Sequence, residues 1–235
     1  MDKHNNPLYR SDTLPTNDGS EFRITFFKHA SLALEIDGKQ IYLDPVTEFA
    51  RYDQLPKADL ILITHHHYDH FEVEAIYQLM GPQTRILCDQ TTAEILADQG
   101  IACTVVRPNE QVDLQPFLHI DTVAAYNTSP GRTDFHPRER KDVGYLLTFH
   151  NTRLYLSGDG ENTPEMKSLR TIDVAFLSGN QPYTMTVDQA VDAVQAIRPR
   201  IFYPYHYGQT EEQTNLERLQ RELEGICEVR IRDME

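Results

Sequence analysis

Short apolar runs alternate with polar, turn-rich stretches along most of the chain. Arg23–Lys28 and Ser31–Ile36 predict strands, and Asp37-Gly38 is a tight-turn pair leading into a third strand, Gln40–Leu43. Leu60-Ile61-Leu62-Ile63 is too short for a helix and carries β-branched residues, so it predicts a buried strand. Glu72–Met80 reads as a helix stopped near Gly81-Pro82, Thr84–Cys88 as a strand, Thr91–Gln99 as a helix closed by Gly100, and Ala102–Val106 as a strand. Strands follow at Val112–Leu114 and Phe117–Ala125, then a hairpin pairs Asp142–Phe149 with Arg153–Ser157. Thr163–Leu169 suggests a short helix and Val174–Leu177 a strand. Thr186-Val187-Asp188-Gln189 is a capping box opening a helix to Ile197. Ile201–Tyr203 is a short strand, and the last helix runs from near Thr210 to Gly225. The βαβα rhythm predicts an α/β fold with helices layered over sheets. Residues 1–20 are polar and read as an arm on the surface, leaving 21–235 as one domain.

Composition narrows the function classes. The chain has 235 residues, 40% apolar and 25% charged, an ordinary globular balance. Its net charge of −14 argues against a nucleic-acid backbone or an anionic membrane as the main partner, since either needs a basic face. It leaves a small-molecule substrate open, because bound cations can reverse the field locally. There is no apolar run long enough to span a bilayer, and Met1–Pro7 has no apolar core of a secretory signal. Cys88, Cys103 and Cys227 are widely spaced and form no C-x-x-C pair, which fits free thiols and a cytoplasmic location.

The chemistry concentrates behind the strand Leu60–Ile63. Of ten histidines, four fall within His65-His66-His67-Tyr68-Asp69-His70. His65 and His67 are two apart, so an extended loop points both imidazoles the same way, and Asp69 extends that row. His70 follows at what reads as a helix start. Imidazoles and a carboxylate arriving together suit Zn²⁺ or another first-row ion such as Mn or Fe. These ligands exceed what one catalytic ion takes from one loop. Two ions sharing it is the simplest division: His65 and His67 on one, Asp69 and His70 on the other.

His65-x-His67-x-Asp69-His70 after an apolar strand resembles the signature of the metallo-β-lactamase-fold hydrolases. The resemblance implies a four-layer αββα sandwich with a metal site, commonly binuclear zinc, at one edge of its two sheets. It also implies that Asp159, between Gly158 and Gly160 at a strand end, bridges the two ions, and that His206, in Tyr205-His206-Tyr207-Gly208, binds the second. The family usually follows that aspartate with a small hydroxyl residue, where this chain has Gly160. Asp44, in Asp44-Pro45, matches an aspartate that supports the metal loop without ligating; a turn cap is the alternative. His29-Ala30-Ser31 resembles a segment whose histidine lines the site's mouth in one broad branch.

The family's third histidine for the first ion has no direct counterpart, since Asn127 stands at its place. His119, His136 and His150 are the candidates, and His136, in the long loop 126–142, is favoured over a first ion held by two imidazoles alone. Asn127 and Arg132 are then candidates for supporting or substrate contacts, as are Tyr68, Tyr126 and Tyr205, with packing the plainer role for the tyrosines. Position 67 is His and not Glu, which points away from the diiron oxygen-reducing branch. The resemblance implies a hydrolase acting on a small ester, lactone or phosphodiester, with ion-activated water attacking and Asp69 orienting it or taking its proton. A nuclease of the same fold would need a basic surface and an added domain. A non-catalytic metal-binding or sensing module is the other alternative. The sequence is silent on oligomeric state.

Overall fold

A computed structural model describes residues 8–114, 116–208 and 210–235. Two seven-stranded sheets organise it. The first takes β1 (Ser11–Pro15), β2 (Glu21–Lys28), β3 (Ser31–Ile36), β4 (Lys39–Leu43), β5 (Leu60–Leu62), β6 (Arg85–Cys88) and β7 (Thr104–Val105) in that order. The second takes β8 (Gln111–Leu114), β9 (Leu118–Ala124), β10 (Val143–Phe149), β11 (Thr152–Leu156), β12 (Val174–Ser178), β13 (Ile201–Tyr205) and β14 (Glu228–Val229). In each, the first four strands are antiparallel and the last three continue parallel. The two halves of the chain thus repeat one topology.

The strands bury both faces, which is why the central ones read as unbroken apolar runs. Leu60 and Leu62 of β5 point between the sheets, where they join Ile24, Leu34, Tyr145, Leu156, Phe176 and Tyr203 in one core. Ile61 points the other way, onto Ile76 and Leu79 of α1 (Val73–Leu79) and Leu96 of α2 (Gln90–Asp98). On the far side, Leu146, Tyr155 and Phe202 pack against α4 (Val187–Ile197) through Val191 and Val194, with Met166 of α3 (Pro164–Lys167) and Leu219 of α5 (Leu216–Glu222). This is the expected four-layer αββα order. Each fully buried Leu, Ile or Phe contributes about 1.5–3 kcal/mol.

Three boundaries differ from expectation. Ser11–Pro15, expected in a polar arm, is an edge strand paired with β2, with only Leu14 turned into the core. Residues 1–7 of that arm lie outside the described residues. The last helix covers Leu216–Glu222, not 210–225, because Asn215 caps it and the acidic stretch before it stays irregular. His70 sits in a turn, and α1 begins at Val73.

Candidate metal centre

The site forms where β4, β5, β11 and β13 end. Asp44, straight after β4, is fully buried and accepts hydrogen bonds from the Thr64 amide at 2.8 Å and the Thr64 hydroxyl at 2.7 Å. Its Oδ2 lies 2.8 Å from His70 Nδ1, which leaves His70 Nε2 facing the cluster. Asp44 therefore orients the His70 ring and is more than a turn cap. Asp44, His29 and His206 all hold positive φ (44°, 56° and 49°), a conformation that costs non-glycine residues free energy and that collects at functional sites.

Asp159 follows β11. A Cβ at Gly158 would lie 2.9 Å from the Val143 carbonyl, and one at Gly160 would lie 2.6 Å from the Tyr126 amide. Glycine on both sides is what lets the Asp159 backbone thread between β10 and the loop after β9, and it explains why no hydroxyl residue follows. The Asp159 carboxylate is 3.1 Å from His206 Nε2, 3.4 Å from His70 Nε2 and 3.4 Å from His136 Nε2. It thus touches histidines from three separate segments.

Two sets of ligand-type atoms gather on either side of it. His65, His67 and His136 form one, and His29, Asp69, His70 and His206 the other; within each, one atom per residue lies within 4.8 Å of the rest. A third set, His65, His70 and Asp159, joins them. His65 Nε2, His70 Nε2, His136 Nε2, His206 Nε2 and Asp159 Oδ1 are buried with no hydrogen-bond partner among the described residues. Buried polar atoms are normally paired. A borderline divalent cation takes this N/O donor set, so the residues fit such an ion.

His136 reaches the cluster because its loop is pinned. Asn127, at the place where a histidine was expected, braces the loop: its side-chain NH₂ donates to the Arg132 carbonyl (2.9 Å) and the Tyr183 carbonyl (2.8 Å), and its side-chain oxygen is buried without a partner among the described residues. The Asn127 N–H bonds the His136 carbonyl at 2.9 Å, and His136 Nδ1 faces the Tyr183 carbonyl at 3.2 Å. Arg132 does not line the cavity. Its guanidinium is spent on the Glu161 carboxylate (3.1 Å) and the carbonyls of Pro182 and Thr184. Substrate contact by Arg132 is thereby replaced by a clamping role. His119 pairs with Asp113 and Asp121, His150 with Asp18 and Asp37, and neither belongs to the cluster. Tyr205 is buried, its hydroxyl accepting from the Gly158 amide at 3.0 Å, and Tyr126 bonds Glu165 instead of facing the site.

His29, a candidate for the site's mouth, is buried and lines the cavity: its Nε2 is 3.1 Å from Asp69 Oδ2, and its ring centroid is 3.6 Å from that of His206. Sequence reasoning missed two other groups. Arg140 donates to His67 Nε2 at 2.7 Å while Asp142 holds its guanidinium. Glu161, two residues past Asp159, anchors Thr128 and Ser129. The histidine run and Asp159 were the local signals; these partners are set by the fold alone.

The imidazoles are shifted in two directions: burial would lower His70, but Asp159 and Asp44 outweigh it and push that ring well up, while three others go down. Burial pushes His65 well down, His29 down to about 4 (helped by His206) and His67 down to about 3 (helped by Arg140). Burial opposes charge on Asp159, but His206 and His70 outweigh it and hold that carboxylate well below its ordinary range. Asp69 is likewise held low against burial by its hydrogen bond to His29 and by His70. Around the cluster opens a cavity of about 860 Å³, within the range of small-molecule sites, lined by aromatic and acidic side chains.

Residues 23–206 match the family model of the beta-lactamase superfamily domain. The chain is 42% identical to a Parabacteroides distasonis protein described as a metal-dependent hydrolase, covering 97% of this chain and 100% of that one, with a TM-score of 0.90. It is 29% identical over 193 residues to a UPF0173 metal-dependent hydrolase of Thermoplasma acidophilum, spanning 79% of this chain and 83% of that protein. A metallo hydrolase of Ignicoccus hospitalis shares the fold, with a TM-score of 0.74 at 23% identity over 89% of this chain and 94% of that one.

Proposed function

The chain belongs to the beta-lactamase superfamily, and from that premise we propose that it is a hydrolase that binds two divalent ions, zinc in the simplest case, and cleaves a small ester, lactone or phosphodiester. One observation carries the reading: four imidazole nitrogens and a carboxylate oxygen, all buried and all without hydrogen-bond partners, converge from three strand ends and one loop. Relatives described as metal-dependent hydrolases support it.

His65, His67 and His136 would hold one ion, Asp69, His70 and His206 the other, and Asp159 would reach both. Bound there, the ions would supply Lewis acidity and make water acidic enough to attack at neutral pH. The chain's own groups do the rest. Asp44 fixes the His70 ring and Thr64 fixes Asp44. Asp69, held ionised by His29, is placed to take a proton from the attacking water. Phe49, Phe135 and Tyr183 wall the cavity.

Metal analysis combined with an ester, lactone and phosphodiester panel, including bis-p-nitrophenyl phosphate, tests this. The expected result is two ions per chain and turnover in at least one class. His67→Ala and Asp159→Ala should each abolish turnover and lower metal content while the fold survives. Retained metal and rate in both variants would refute the site, and bound metal with no turnover on any substrate would favour a non-catalytic metal-binding module.

A further inference from the structure

The cavity wall beyond the histidine cluster has a one-sided chemistry. Among the described residues it carries no lysine and no arginine. Two guanidinium groups near it are already paired, Arg132 with Glu161, and Arg140 with Asp142 and His67. Two carboxylates, Glu48 and Asp134, are exposed on this wall, and neither is held in a hydrogen bond or ion pair among the described residues. Four aromatic rings share it. Phe49 is nearly buried beside His29 at a centroid distance of 5.3 Å, Phe135 and Tyr183 meet edge to face at 4.8 Å, and Tyr68 is 86% exposed at the mouth. Asn180, 6% exposed and lining the same cavity, has a side-chain oxygen with no donor opposite it.

Acceptors without donors, carboxylates without cations and π faces are the complement of an ammonium group, which aromatic rings and carboxylates both attract. A phosphate or carboxylate tail would find no counter-charge there, in a chain already at −14. We propose that the substrate of this pocket ends, on the side away from the scissile bond, in a positively charged ammonium group. The inference rests on the hydrolase reading for the scissile bond, but the tail preference is a property of the cavity wall and is measured separately.

The test uses three product-like acids sharing one carboxylate and differing only in the tail: 4-(trimethylammonio)butanoate, its neutral isostere 5,5-dimethylhexanoate, and glutarate. Each is titrated calorimetrically into zinc-loaded protein. The cationic tail should bind about tenfold tighter than the neutral one, with glutarate weaker still, and raising the ionic strength should shrink the gap. The double variant Glu48→Gln/Asp134→Asn should bring the cation-to-neutral ratio close to one and leave the neutral acid's affinity unchanged. Equal or tighter binding of the neutral or dicarboxylate tail, a ratio that survives the double substitution, or no binding of any of the three would overturn the proposal. Turnover separates the two readings: a cationic preference in binding with neither the matching 4-nitrophenyl esters nor any lactone or phosphodiester of the panel cleaved would sink the hydrolase and leave the pocket's preference standing.

Discussion

Removing the Glu161 carboxylate should loosen the loop that delivers His136. Glu161 has no solvent exposure, and its Oε2 accepts from the Thr128 amide (2.7 Å), the Thr128 hydroxyl (2.9 Å) and the Ser129 amide (2.7 Å). Its Oε1 pairs with Arg132 at 3.1 Å. Glu161→Ala leaves two backbone N–H groups without an acceptor, at about 1–3 kcal/mol each. Arg132 keeps some solvent access, so the lost ion pair adds less than a fully buried one would. The sum is about 3–5 kcal/mol, which for a chain of this size lowers the melting temperature by roughly 10 °C. Glu161→Gln keeps one oxygen for Thr128 and Ser129 but turns an amide NH₂ towards the guanidinium, so it should fall between the wild type and Ala. Thermal melting followed by circular dichroism reads the stability, and zinc titration against a chelator reads the first ion's affinity, which should drop with the loop. A Glu161→Ala protein melting within about 1 °C of wild type, or a Gln variant less stable than Ala, would refute the reasoning.

Asp44→Asn should weaken metal binding by about 10–100-fold with the fold intact, because an amide has one acceptor oxygen where the carboxylate uses Oδ1 for the Thr64 N–H and Oδ2 for His70; chelator competition measures it. His150 faces Asp18 with Nδ1 and Asp37 with Nε2, so both nitrogens donate and the ring is cationic, and its proton is held more tightly than usual. A raised folded-state pKa gives stability that is full below the unfolded value of about 6.5 and is lost as pH rises through the folded one. His150→Ala should therefore lower the melting temperature at pH 6 and have little effect at pH 9, by under about 1 kcal/mol at this exposed position; an equal effect at both pH values would contradict the pairing.

What the sequence disclosed was whatever sits close together in it. The spacing of His65, His67, Asp69 and His70 behind an apolar strand is local, and so are the glycines around Asp159. The sandwich was legible because β5 and β12 bury both faces and read as plain apolar runs. Ser11–Pro15 was misread because an edge strand with one inward side chain looks polar. Its Asp12 is held by Tyr203 and Arg232, from the other end of the chain. His136 stayed ambiguous because loop 126–142 has no periodicity, and its position depends on Glu161 and Arg132 meeting across a turn. His29 looked like a turn residue and is buried because His206 and Phe49 close over it.

The central claim is that strand-end histidines and aspartates hold a pair of ions. Anomalous diffraction at the zinc edge, from crystals of zinc-loaded protein, tests it most directly. The account predicts two peaks about 3.5–4 Å apart, one against His65, His67 and His136, the other against Asp69, His70 and His206, with Asp159 between them. Zinc bound elsewhere, or none at these residues in a folded protein, would contradict it.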